Sequence, residues 1–132
     1  MYLHIDADNG VPVYEQIARQ LSFLIADGSI KPGEMIPSVR QLARDLAVNP
    51  NTIARAYRQL QDRDVVEPVS GTGLEVTRHA VPICRRERDE WIRWRLAQVI
   101  AEARSSRIDD DDLKRLFESA LKAARAAEKD RK

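Results

Sequence analysis

Apolar residues recur at helical spacing through the first part of the chain, alternate over two short runs, and then return to helical spacing. Tyr14, Ile17, Leu21, Leu24 and Ile25 share one face of a helix wheel, which predicts a helix over 14–27. Gly28 stops it and Lys31-Pro32-Gly33 turns the chain. Ser38 then offers a cap, with Gln41 three residues on to complete a capping box. The short helix that follows turns Val39, Leu42, Ala43 and Leu46 inward and ends at Ala47-Val48. Asn49-Pro50 is a second start signal, because Asn caps well and Pro has no N–H to leave unpaired in the first turn. In that helix Ile53, Ala56, Tyr57 and Leu60 lie on one side, and Asn51, Arg55, Arg58 and Asp62 on the other. Residues 65–69 and 74–77 read as two strands around the turn Ser70-Gly71-Thr72-Gly73.

The pattern then changes. Residues 84–107 predict one long helix carrying Trp91, Ile92, Trp94, Leu96, Val99, Ile100 and Ala103. Asp109 caps another, whose acidic start, Asp110 to Asp112, suits the positive end of a helix. Ile108 and Leu113 are placed to form a hydrophobic staple around that cap. Leu113, Leu116, Phe117, Ala120, Leu121 and Ala124 repeat at helical spacing, and the charged tail 126–132 is expected to fray. The fold class is therefore mainly α with a small β-hairpin. A winged helix-turn-helix domain at 1–78 is followed by a C-terminal helical hairpin at 79–132.

Composition narrows the function. With 43% hydrophobic and 33% charged residues, the 132-residue chain suits a folded domain rather than a disordered segment. No apolar run reaches the roughly 20 residues of a membrane helix. Residues 1–10 contain Asp6 and Asp8 and no apolar block, so no secretory signal is expected there. A single cysteine, Cys84, fits a reducing cytoplasm and is expected to have no functional role. His4 and His79 stand far apart without cysteine company, so neither a metal site nor a cofactor is expected. There is no Gly-rich phosphate loop and no Ser/His/Asp set, which argues against an enzyme.

The net charge of +1 divides unevenly. Residues 1–78 hold 8 Lys/Arg against 10 Asp/Glu, and residues 79–132 hold 14 against 11. Within the first part, however, Arg40, Arg44, Arg55, Arg58 and Arg63 face only Asp45 and Asp62 between positions 38 and 63. Phosphate binding depends on such a local face, because salt screens charges beyond about 10 Å.

Two short helices joined by a tight turn, the second with an amide and two guanidiniums on its outward side, form a helix-turn-helix, and the strand pair after it is a wing. Double-stranded DNA is the partner this arrangement implies. Pro12 to Ile17, Gly28, Ile30-Lys31-Pro32-Gly33, Pro37 to Ala43, and Asn49 to Tyr57 with Leu60 together resemble the N-terminal domain of GntR-family bacterial transcription regulators. The Val48-Asn49-Pro50-Asn51-Thr52 wording and the short C-terminal part are most similar to the YtrA subfamily. The resemblance implies DNA contacts by Arg40, by Asn49, Asn51, Thr52 and Arg55, and by the wing tip around Gly71 and Thr72. It also implies a repressor, with a small-molecule effector left open.

The chemistry of the residues adds detail. Arg55 and Arg58 can pair two donors with a guanine edge, and Asn51 can pair with adenine. Ser38, Arg40 and the helix-start N–H groups suit phosphates, and Gln41 beside them is a further candidate DNA contact. Taken alone, Arg55 and Arg58 read first as a solvated face, Asn49 as a cap and Tyr57 as core, while Gly71 and Gly73 read equally as a hairpin turn. Four positions depart from the family pattern. Asp64 replaces a Gly, and Asp tolerates the left-handed conformation better than most residues. Leu74 and Glu75 replace a Thr and an aromatic in the wing. Pro50 stands where some relatives place Arg.

Trp91, Trp94, Leu96, Val99 and Ile100 of the long helix, with Leu113, Leu116, Phe117, Ala120 and Leu121 of the last, leave apolar surface over. A second copy is the economical cover, making a homodimer, and packing on the chain's own DNA-binding domain is the alternative. Arg85-Arg86-Glu87-Arg88 reads as a solvated face or as a segment near DNA. The competing functional reading is a winged-helix adaptor that makes protein contacts without specific DNA binding.

Overall fold

The computed structural model describes residues 3–130. Its chain order is α1 (Val13–Ala26), α2 (Val39–Leu46), α3 (Pro50–Asp62), β1 (Val66–Val69), β2 (Gly73–Val76), α4 (Ala80–Ser105) and α5 (Asp110–Asp130). Internal contacts divide it after Glu90 into two compact units.

In the first unit, α1 begins on the Pro12 carbonyl, which accepts from the Glu15 and Gln16 N–H groups. Its Ile17, Leu21 and Ile25 are wholly buried, as are Ile53 and Leu60 of α3, against which it packs. Gly28 takes a φ of 86°, beyond the end of α1, where Asp27 Oδ1 accepts from the Ser29 N–H. α2 and α3 are joined by a tight turn through Ala47, whose φ is 53°. Asp64 has a φ of 62°, so the chain leaves α3 through the left-handed conformation expected where the family has glycine.

β1 and β2 pair antiparallel, with Val66 opposite Val76 and Val69 opposite Gly73. Sequence pattern did not reveal that the segment before α2 extends this hairpin. Met35 bridges to Glu75, the Ile36 N–H donates to the Leu74 carbonyl, and the Val76 N–H donates to the Glu34 carbonyl. Nor did it reveal how the N-terminal segment is fastened. Buried Gln16 donates to the Asp6 and Val11 carbonyls and accepts from the Asp6 N–H, while Gln20 exchanges two hydrogen bonds with the His4 backbone.

The first unit does not end at residue 78. α4 starts at Ala80, not at Cys84, and both residues are wholly buried in the core of the first unit. The Arg85 to Arg88 segment is not simply a solvated face. Glu87 accepts from the buried Ser22 hydroxyl at 3.0 Å and pairs with Arg63 at 3.1 Å, and Arg85 donates to the Ala26 carbonyl. These bonds tie the first turns of α4 to α1 and to the end of α3.

The second unit comprises the rest of α4 and α5. Between them the chain turns through Arg107, with a φ of 60°. Asp109 Oδ1 accepts from the Asp112 N–H at 2.8 Å, which caps α5. Arg104 pairs with Asp110, and Arg115 with Asp112. The expected hairpin is open: α5 has no buried residue, and an apolar groove of about 790 Å³ lies between the two helices. The helix continues through 126–130, where fraying was expected, while Arg131 and Lys132 lie outside the described residues. No helix is long and apolar enough to cross a membrane, among the described residues.

Candidate nucleic-acid interface

The orientation of α3 follows from its buried side. Ile53, Ala56 and Leu60 are completely enclosed, and Tyr57 is nearly so. The Tyr57 hydroxyl donates to the Pro37 carbonyl at 2.7 Å, which anchors α3 to the segment entering α2. Burial pushes this phenol well above its ordinary range, so it stays a donor. With that side fixed, Asn51, Arg55 and Arg58 project to the exposed side, and Thr52 is half-buried beside them.

The helix starts are built as the caps require. Ser38 Oγ accepts from the Gln41 N–H at 3.1 Å, and Asn49 Oδ1 accepts from the Asn51 N–H at 2.8 Å. Pro50 occupies the first turn of α3. Ser38, Arg40 and Gln41 are exposed at the start of α2, and Asn49 is exposed at the start of α3. The remaining N–H groups at two such starts are donors for an anion.

Arg55 has a partner that sequence reasoning missed. Its guanidinium carbon lies 3.8 Å from the centroid of the Tyr14 ring, contributed by α1. The helical spacing of α1 marked Tyr14 as an apolar-face residue, and no pattern within one helix shows what lies across from it.

The wing carries a different charge. In its register Glu67 stands directly opposite Glu75, a like-charge pair that weakens a hairpin and repels phosphate. Gly71, with a φ of 76°, and Thr72, which donates through both its N–H and its hydroxyl to the Val69 carbonyl, close the turn. The structure thus places Ser38, Arg40, Gln41, Asn49, Asn51, Thr52, Arg55 and Arg58 on α2 and α3 or at their caps. Gly71 and Thr72 sit apart at the exposed hairpin tip.

In the second unit, Trp91 stacks on Trp94 at 5.5 Å between ring centroids. Trp94 is 55% exposed, and Leu96, Val99, Ile100, Ala120 and Leu121 are exposed as well. Leu116 and Phe117 are 56% and 51% exposed, while Leu113 is half-buried. Cys84 is wholly buried in the first unit, and burial pushes its thiol up, which leaves it poorly reactive.

Comparison with known proteins agrees with this architecture. Residues 13–76 match the family model for bacterial regulatory proteins of the gntR family. The chain is 32% identical over 111 residues to the HTH-type transcriptional repressor YtrA of Bacillus subtilis, covering 84% of this chain and 85% of that protein. It superposes on a GntR family transcriptional regulator from Listeria monocytogenes with a TM-score of 0.71 at 27% identity, covering 85% of this chain and 97% of the other. It also superposes on AraR(DBD) in complex with operator ORX1, with a TM-score of 0.52 at 26% identity, covering 58% of this chain and 99% of that one. These likenesses favour a DNA-binding regulator over an adaptor or an enzyme. The chain belongs to the GntR family, in its YtrA-like branch, and is a DNA-binding transcription regulator.

Proposed function

We propose that this protein is a repressor that binds an inverted-repeat operator as a homodimer in the cytoplasm. The observation that carries the reading is the exposed side of α3, where Asn51, Arg55 and Arg58 project from a helix whose opposite side is locked into the core. Arg55 and Arg58 suit guanine edges and Asn51 suits adenine, while Ser38, Arg40, Gln41, Asn49 and Thr52 set register on phosphates. The acidic wing, with Gly71 and Thr72 at its tip, adds little to affinity. That the relative from Bacillus subtilis is a repressor supports the direction of regulation.

A second copy supports the reading in two ways. One domain of this size reads only a few base pairs, and two related by a two-fold axis read half-sites about 34 Å apart. The C-terminal unit also offers the surface: α4 and α5 line their groove with Leu96, Val99, Ile100, Leu113, Leu116 and Phe117. A patch this apolar in water calls for a partner. We assign the groove to the second copy, and a small-molecule effector that released the operator would act by competing there.

The test is Arg55→Ala in a gel shift against duplex fragments selected from genomic DNA. Specific binding is expected to disappear, with normal circular dichroism and a persisting, steeply salt-dependent non-specific component. Unchanged specific affinity would remove Arg55 as a reader.

A further inference from the structure

The Arg55 guanidinium carbon lies over the Tyr14 ring, 3.8 Å from its centroid, a separation that suits a stacked guanidinium plane. Tyr14 is half-buried at the start of α1 and packs against the core, and its hydroxyl donates to Glu15 Oε1 at 3.2 Å. Its place relative to α3 is set by the wholly buried Ile17 and Leu21 of α1 and Ile53 and Ala56 of α3. The ring is therefore a fixed platform, whereas an exposed Arg elsewhere on the helix samples many rotamers. A cation over an aromatic face is attracted by the negative face of the ring. Stacking occupies the face of the guanidinium and leaves its N–H donors, which lie in its plane, free at the edge. The edge is the part that pairs with a guanine in the major groove.

We propose that Tyr14, a residue outside the helix-turn-helix, is a specificity-determining positioning residue that holds Arg55 edge-on for base recognition. The inference rests on Arg55 being a base reader. Without the platform, Arg55 would still attract DNA as a charge, but would choose among base pairs less sharply. The effect should therefore fall on the ratio of specific to non-specific affinity, not on both affinities together.

The experiment measures that ratio at one salt concentration for the full chain and for Tyr14→Phe, Tyr14→Leu, Arg55→Ala and the Tyr14→Leu/Arg55→Ala pair. Tyr14→Phe keeps the ring and is expected to keep the ratio within about twofold. Tyr14→Leu keeps apolar bulk and is expected to lower it by about 3- to 30-fold, with non-specific affinity unchanged. In the Arg55→Ala background the same change should have no further effect. An unchanged ratio in Tyr14→Leu, or an equal loss with and without Arg55, overturns the proposal. If Arg55→Ala itself retains specific binding, the base-reading assignment fails first. Should Tyr14→Leu not fold, the wild-type protein still decides: ring-current shifts should move the Arg55 Hδ and Hε resonances upfield in the free protein. Random-coil positions would contradict the stack.

Discussion

In the first unit, α1 hides Ile17, Leu21 and Ile25 completely, and α3 does the same for Ile53 and Leu60. In the second, α5 hides none of its residues, although its Leu116, Phe117 and Leu121 recur at the same helical spacing. The two units share a sequence pattern and differ in what covers it. Periodicity states which face of a helix is apolar, and the neighbouring elements decide whether that face is buried within one chain. The first unit supplies those neighbours from its own sequence, in three helices, a hairpin and the beginning of α4. The second supplies two helices with an open groove, which in the proposed dimer another copy completes.

The largest effect that would sharpen this comparison is on assembly. Leu116→Glu with Phe117→Glu changes two exposed residues of α5, so the first unit should keep its fold. Sedimentation is expected to show a monomer, with operator affinity reduced by about 10²- to 10⁴-fold through loss of the linked second site. A variant that stays dimeric would place the interface elsewhere.

Leu21→Ala reverses the pattern. It opens a cavity in a closed core and should cost about 2–5 kcal/mol in urea unfolding, with the dimer intact where the chain is still folded. A cost near that of a surface change would mean that the first unit is not the self-sufficient one.

The smallest effect is at Asp64, whose φ of 62° suits glycine. Asp64→Gly should raise stability by up to about 1 kcal/mol by relieving the left-handed strain. Its carbonyl still accepts from the Thr77 hydroxyl at 2.7 Å, so a loss of stability would show that the side chain itself holds the turn.

Much of the first unit was legible because its signals are local. The caps at Ser38 and Asn49, the proline start of α3 and the inward set Ile53, Ala56, Tyr57 and Leu60 are each specified by residues within about two turns, and the left-handed Asp64 by the glycine of the family pattern. What escaped was non-local. Gln16 and Gln20 fasten the N-terminal segment, Met35 extends the hairpin, Glu87 joins Ser22 to Arg63, and Tyr14 lies under Arg55. Each joins residues far apart in sequence, and none leaves a periodic mark. The packing of the first turns of α4 into this core escaped for the same reason. Ala80 and Cys84 look like the approach to a long helix, and only the packed core shows that they belong to the first unit.

The symmetry of the bound DNA decides whether the protein reads its operator as a dimer. A footprint of the full chain at physiological salt, on a fragment selected from genomic DNA, measures it directly. The expected result is two protected half-sites in inverted orientation, centred about 34 Å apart or a multiple of that distance. Protection of a single asymmetric half-site would contradict the dimeric reader.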